Sequence, residues 1–392
     1  MFVISIREMG EIYMMYTLIA TTTFGLEAVT AKELKALGYE NLIVENGRVI
    51  FDGDEMDIAI CNIWLRTAER LFIKMAEFKA LSFEELFQGT KAVNWGDLIP
   101  EDGNMHIIGK SVKSQLHSVP DCQGIVKKAV VESMKKKYDK EWFSEEGPEY
   151  KIEVAILRDL VTLSIDTSGV GLHKRGYREY AGEAPLKETL AAALVLISKW
   201  DSTRVLADPL CGSGTIAIEA ALIAKNMAPG INRKFASETW PTMDHDIWDQ
   251  VREGARRTVN TNEVEILASD IDGRLLKVAI DNAEKAGVKD FIKFQKIPMQ
   301  DFASRQKYGV IITNPPYGER LGEAEEVKKL HVDLGVMYSS LNEWSCFVIT
   351  SNREFQKEFG KKADKNRKLY NGRLLCYYYQ YIKEIPRKKK ED

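Results

Sequence analysis

Four apolar runs of this chain end on polar residues suited to holding a ligand. The first leads into Asp208-Pro209-Leu210-Cys211-Gly212-Ser213-Gly214-Thr215, the second into Ser269-Asp270-Ile271-Asp272, and the third is followed by Gln300-Asp301-Phe302. The fourth stops at Thr313-Asn314-Pro315-Pro316-Tyr317. A strand, a glycine turn and a helix together make a nucleotide-type site, because the helix start presents free N–H groups. Gly212, Gly214 and Ala217 even spell the GxGxxA fingerprint of dinucleotide binding. Two features oppose that reading. The next strand-end acid, Asp270, comes far later than the ~20 residues expected for a ribose-binding acid. Asp208 would also stand where a pyrophosphate approaches, and a carboxylate there favours a cation. S-adenosyl-L-methionine meets these terms, with an ammonium, a sulfonium, a ribose and an adenine but no phosphate. Asp270, flanked by Ile271 and Asp272, is assigned to the ribose hydroxyls, and Asp301 beside Phe302 to the adenine amine. Taken singly, each acid reads more simply as a helix cap or a solvated turn residue. Their recurrence at successive strand ends beside a glycine loop carries the cofactor reading.

The fourth strand end is a rigid turn. Two adjacent prolines lack N–H groups and fix their own backbone angles, and each restrains the residue before it. Asn314-Pro315-Pro316-Tyr317 resembles the turn of class I methyltransferases that act on exocyclic amines of bases. Together with DPLCGSGT, SDID, TNPPYGERL, APLKETLAAALV and APGINRKFASETW, it makes nearly the whole chain similar to the THUMP-containing guanine-N2 methyltransferases of RNA. The nearest likeness is to the N-terminal half of the bifunctional large-subunit ribosomal RNA methyltransferases. The resemblance implies a ferredoxin-like segment plus a THUMP domain over residues 16–166, and a class I methyltransferase domain beyond a linker. It also places Lys187 against the methionine part of the cofactor. The sequence carries no second methyltransferase domain, so no second activity is expected of it.

The chemistry of that turn follows from the amine. An exocyclic base nitrogen is a poor nucleophile, because its lone pair is delocalised into the ring. Asn314 can accept one amine hydrogen through its side-chain carbonyl, and the Pro315 backbone carbonyl can accept the other. The pair draws the nitrogen toward tetrahedral geometry and stabilises charge that grows in the transition state. Tyr317 can stack on the base, and the stiffness of Pro315-Pro316 fixes the positions beforehand. A base within a duplex must be extruded or already unpaired to enter.

The elements that position these groups alternate. From residue 188 onward, helices and apolar strands succeed each other at the spacing of a doubly wound, mostly parallel sheet, the Rossmann-like arrangement of an α/β protein. Ligands in such sheets sit beyond the carboxyl ends of the strands. Before it lies an α+β region, with helices expected over residues 25–37, 57–65 and 121–138. We divide the chain into a disordered lead (1–15, with Met14 or Met15 as an alternative start), a ferredoxin-like part (16–69) and a THUMP RNA-binding domain (70–166). A linker (167–187), the methyltransferase domain (188–383) and a basic tail (384–392) complete it.

Net charge is only -3, so nucleic-acid binding has to come from local clusters. Eight lysines fall within residues 110–140 against three acids, Asp121, Glu132 and Asp139. Lys110, Lys113, Lys127 and Lys128 are candidates to track a phosphate backbone, although a solvated helix face explains a charge run equally well. The same holds for Lys174, Arg175 and Arg178, which interleave with Tyr177 in the linker. Five scattered cysteines and five histidines show no metal-ligand spacing, so reduced thiols, no metal and a cytoplasmic protein are expected. No apolar stretch reaches membrane-spanning length, and the N-terminus lacks the pattern of a signal peptide.

Three functions remain. A guanine-N2 methyltransferase acting on structured RNA is favoured, with ribosomal RNA ahead of transfer RNA on overall likeness. An adenine-N6 methyltransferase would use the same turn. A non-catalytic RNA-binding module is opposed by the intact set Asp208, Asp270, Asp301 and Asn314.

Overall fold

A computed structural model describes residues 14–178, 186–317 and 324–384. The described chain forms two units: residues 30–172 and 230–255 with the strand preceding them, and residues 23–29, 173–229 and 256–392. Most of the expected lead and of the basic tail lies outside the described residues, as do residues 179–185 of the expected linker.

The first unit is built on one seven-stranded sheet. Its elements are β1 (Tyr16–Thr22), α1 (Glu27–Ala36), β2 (Ile43–Glu45), β3 (Arg48–Gly53), α2 (Glu55–Trp64), β4 (Ala68–Lys79), α3 (Phe83–Lys91), β5 (Asn104–Val112), α4 (Val119–Tyr138), β6 (Glu149–Leu157) and β7 (Leu160–Asp166). The sheet order is β2-β3-β1-β4-β7-β6-β5, and only β5 and β6 are parallel. The boundary expected at residues 69/70 falls inside β4. That strand pairs with β1 over its first half and with β7 over its second, shifting register between Lys74 and Ala76. The ferredoxin-like and THUMP stretches therefore share a sheet. Local chemistry sets the helix starts. Asp54 and Asp57 form a reciprocal capping box on α2, Ser82 caps α3, and Pro120 sits in the first turn of α4.

Residues 230–255 also pack in this unit, although in sequence they interrupt the catalytic half. Trp240 is fully buried, stacks on Tyr150 at 4.6 Å, and donates its indole N–H to the Glu149 carbonyl at 3.1 Å. Helix α7 (His245–Arg257) places Trp248 against Phe235 at 5.3 Å. Buried aromatic area holds this segment in the first unit, although the sequence reading runs the methyltransferase domain through it.

The second unit holds α5 (Glu188–Ser198), β8 (Leu206–Asp208), α6 (Thr215–Ala224), β9 (Ile266–Asp270), α8 (Gly273–Lys285), β10 (Ile292–Lys296), β11 (Val310–Thr313), α9 (Ala324–Ser340), β12 (Ser345–Thr350), α10 (Phe355–Glu358), β13 (Lys365–Asn371) and β14 (Leu374–Tyr381). The order is β10-β9-β8-β11-β12-β14-β13. The first five strands are parallel, and β14 runs antiparallel to both its neighbours, β12 and β13. Strand residues alternate between two cores. Val310 and Ile312 join the cluster of α5 and α6, whereas Ile311 joins the one holding Leu334, Met337 and Phe355. Burial on both faces explains why these strands read as continuous apolar runs.

Candidate active site

Strand order reverses at β8, which lies between β9 and β11. The crevice beyond its carboxyl end is the place for a ligand in such a sheet. Asp208, Asp270 and Asn314 all lie there, at the ends of the three central strands or just beyond them.

Asp270 anchors the site. One carboxylate oxygen accepts the Gly212 N–H at 2.9 Å and the other accepts the Asp272 N–H at 2.9 Å. The glycine loop and the entry to α8 are thus tied to one acid. The loop is fastened again where Cys211 donates to the Ser269 carbonyl at 2.9 Å, and where Asn282 of α8 donates to the Ser213 carbonyl at 3.0 Å. Gly214, with φ of 81°, adopts the left-handed conformation, and a Cβ there would lie 3.0 Å from that of Ala279. A glycine is needed both for the angle and for the approach of α8. Asp272 caps α8 through the Arg274 N–H at 2.8 Å and pairs with the Arg274 guanidinium. Ile271 is 65 % exposed between these two engaged acids. An apolar side chain held open at the crevice suits a flat aromatic ligand such as adenine.

Asp208 departs from expectation. It is 2 % exposed, accepts from the Thr313 hydroxyl at 2.7 Å and from the Leu210 N–H at 3.3 Å, and so ties β8 to β11. Burial pushes its carboxyl up to about 7; the two hydrogen bonds oppose that shift and Asp270 adds to it. Its carboxylate does not stand open to the crevice as the sequence argument supposed. Pro209 and Cys211 are buried, Leu210, Ser213 and Lys187 partly so, and Thr215 opens α6. Asp301 is exposed in a short turn after β10, with Phe302 buried behind it.

At the fourth strand end, Asn314 is half-buried and its side-chain oxygen is enclosed without a hydrogen-bond partner. A buried acceptor in that condition costs about 1–3 kcal/mol unless something satisfies it. Pro315 is buried, Pro316 exposed, and Tyr317 packs against the α5–α6 core with its hydroxyl 3.7 Å from the Cys376 sulfur. The turn is therefore braced by β14.

Several residues assigned to RNA from the sequence have other employment. The Arg175 side chain is 3 % exposed and pairs with Glu219 of α6 at 3.4 Å. Tyr177 is buried and donates to the same carboxylate at 3.1 Å. Arg178 is buried as well, facing Glu188 at 3.5 Å and donating to the Leu186 carbonyl and the Thr215 hydroxyl. The stretch read as a linker is thus in part a buried strap of the second unit that reaches the end of the glycine loop at Thr215, and Arg175 and Arg178 are withdrawn as RNA contacts. One sign was available in α6, whose apolar sequence carries a lone glutamate that burial obliges to find a cation. In the first unit, Lys127 donates to the Met105 carbonyl and to Glu145, so it is structural, and Lys110 pairs with Glu153. Lys113, Lys128 and Lys174 remain exposed. Among the described residues no group of His, Cys, Asp or Glu has the disposition of a metal site, and no helix is long and apolar enough to cross a membrane.

Comparison with known proteins agrees with this fold. An RMKL-like methyltransferase domain matches residues 175–380, an RlmL ferredoxin-like domain residues 17–72, and a THUMP domain residues 80–166. A Bacillus subtilis (strain 168) protein, "Putative RNA methyltransferase YpsC", is 50% identical over 96% of this chain and 99% of its own length. Ribosomal RNA large subunit methyltransferase K/L of Syntrophotalea carbinolica is 34% identical over 91% of this chain, which spans 52% of that protein. A Listeria monocytogenes crystal structure described as a predicted N6-adenine-specific DNA methylase superposes with a TM-score of 0.91 at 49% identity, covering 95% of this chain and 97% of that one. The crystal structure of SMU.472 complexed with SAH gives 0.90 at 43% identity, covering 95% and 100%. With its ferredoxin-like, THUMP and catalytic regions all matched, the chain belongs to the RMKL-like family of RNA methyltransferases.

Proposed function

We propose that the protein transfers a methyl group from S-adenosyl-L-methionine to the exocyclic N2 amine of a guanine in structured RNA, with ribosomal RNA the favoured substrate. The single observation that carries this reading is the enclosed, unpartnered oxygen of Asn314 at the end of β11. A substrate amine is a donor of the kind that oxygen lacks. The cofactor supplies an electrophilic methyl on a sulfonium. Asn314 accepts one amine N–H, the Pro315 carbonyl accepts the other, and the nitrogen lone pair is turned toward the methyl. As the N–C bond forms, the S–C bond breaks to a thioether, and the surplus amine proton leaves to solvent. The site fits the donor: Gly212 has open space where a Cβ would stand, Ile271 offers an apolar face, and Asp270 retains lone pairs beyond those its backbone donors occupy.

The THUMP match supports an RNA substrate and the K/L relative, by its name, ribosomal RNA, while the guanine reading rests on the resemblance of the motifs. The description carried by the Listeria structure supports adenine N6 as the second reading, since the same turn serves either amine. Labelled methyl transfer to total RNA from a strain lacking the protein, followed by nucleoside analysis, separates them. N2-methylguanosine, in the large ribosomal RNA, is expected. Label in N6-methyladenosine would replace the reading, and label in transfer RNA would correct its substrate.

A further inference from the structure

The second unit ends in an edge strand whose charge the reaction does not use. Residues 361–373 carry Lys361, Lys362, Lys365, Arg367, Lys368 and Arg373 against a single acid, Asp364. Asp364 is itself engaged, accepting the Ile382 N–H at 2.7 Å. Along β13, Lys365, Arg367 and Lys368 lie opposite Gln380, Tyr378 and Tyr377 of β14, so no carboxylate faces them across the ladder. In other places exposed lysines do meet acids, as Lys293 meets Glu265 and Lys357 meets Glu354. Among the described residues, no strand neighbours the far side of β13.

Aromatic rings accompany this charge. Phe24 is 55 % exposed and meets Tyr370 of β13 edge-to-face at 6.2 Å. A tight fit places it there: a Cβ on Gly25, whose φ is 92°, would stand 2.9 Å from the Lys368 carbonyl. Leu26 then buries in the α5–α6 core beside Leu369. Phe24 is thus held on β13 from one side and by the next residues' burial on the other. Tyr377, partly exposed, lies opposite Lys368. The strand also leads to the chemistry, since β14 carries Cys376 against Tyr317 of the catalytic turn, and Asn371 at the end of β13 accepts the Lys187 N–H at 3.4 Å.

We infer that β13, with Phe24, Tyr370 and Arg373, is a guide for the single-stranded RNA that flanks the target nucleotide, its cations on phosphates and its rings on unstacked bases. A run of cations with no acid paired to them among the described residues, accompanied by aromatics, is the chemistry of sequence-tolerant single-strand binding. An unpaired target base requires such flanks, so the inference rests on the RNA reading above. Lysines on an edge strand also discourage strand-to-strand association. That alternative accounts for the charge but not for an exposed phenylalanine fixed beside it.

The test uses the full chain and a fluorescein-labelled oligoadenylate followed by anisotropy over a salt series. In the variant Lys365→Gln/Lys368→Gln/Arg373→Gln, all three at exposed positions, affinity should fall about tenfold or more. The slope of log affinity against log salt should fall by about 2. Phe24→Ala should weaken binding about fivefold or more with the slope unchanged. Lys328→Gln/Lys329→Gln, on the exposed face of α9, should leave both unchanged. Calorimetric binding of S-adenosylhomocysteine should match the parent in every variant, which establishes that the fold is intact. A parent that does not bind, a β13 variant that binds as the parent does, or an equal loss in the α9 variant overturns the inference. Nucleoside analysis of total RNA is scored separately. Parent protein that forms N2-methylguanosine while the β13 variant binds normally leaves the function standing without the guide. Binding lost through β13 with no N2-methylguanosine formed leaves the guide standing without the function.

Discussion

The two units differ in how much of their charge they bury. In the first unit most ion pairs sit at or near the surface, where Lys110 meets Glu153 and Lys137 meets Asp97 in water; Arg252 with Glu238, and Arg70 with the buried Asp166, are the exceptions. In the second, Asp208, Asp270, Glu188, Glu219, Arg175 and Arg178 are withdrawn from solvent around the strand ends and the helices behind them. An exposed pair gains little, because water screens it and both side chains lose freedom. A buried pair is costly to assemble and more costly to break, but it fixes geometry. The comparison teaches that the catalytic unit holds its strand-end loops with buried charge, whereas the first unit leaves most of its charge on a solvated face.

The largest expected effect comes from breaking the buried side of that contrast. Arg175→Met leaves Glu219 buried without its cation and should destabilise the fold by about 3–5 kcal/mol. Adding Glu219→Leu should recover most of the loss, read by denaturant unfolding; no recovery would mean the strap is held by packing alone. Next comes the turn. Asn314→Ala should lower kcat about 10²–10³-fold, by analogy with the loss of one transition-state hydrogen bond, while S-adenosylhomocysteine affinity stays within about twofold. Full transfer by that variant would remove the proposed mechanism.

A smaller effect concerns Asp208. Its carboxyl is raised from 3.8 to about 7, burial being the main cause. The native state therefore holds this proton more tightly than the unfolded chain does. The group's contribution to stability is full below about pH 4 and is lost as pH rises through about 7. Thermal unfolding of the ligand-free protein should show a loss of stability over that window that is reduced in Asp208→Asn. An unchanged pH profile would assign the dependence to other groups. The smallest effect is expected at Lys110→Gln, where loss of an exposed pair should change stability by less than about 1 kcal/mol. A larger loss would erase the contrast between the two sheets.

Much of the catalytic half was legible in its sequence, for a physical reason. A parallel sheet buried on both faces requires unbroken apolar strands, and polar residues can then appear only where strands stop. Asp270, Gly214 and Asn314 announced themselves in this way. The hairpin of β13 and β14 was not anticipated, because its lysines and tyrosines broke the apolar run, although Asn371-Gly372 is a recognised hairpin signal. Arg175 and Arg178 were misread because a sequence shows that a residue is cationic but not whether an acid far along the chain is waiting for it. Glu219 lies 44 residues beyond Arg175, and only folding brings them together.

The sequence by itself determined where chain elements stop and which groups stand at their ends, since periodicity, proline geometry and glycine permissiveness act between near neighbours. The tertiary structure alone decided which of those groups stay open. Burial and hydrogen bonding from distant segments turned Asp208 inward onto Thr313, locked Arg178 onto the cofactor loop, drew residues 230–255 into the first unit, and left the Asn314 oxygen without a partner. Desolvation depends on everything that packs around a group, and packing is settled only when the whole chain has folded.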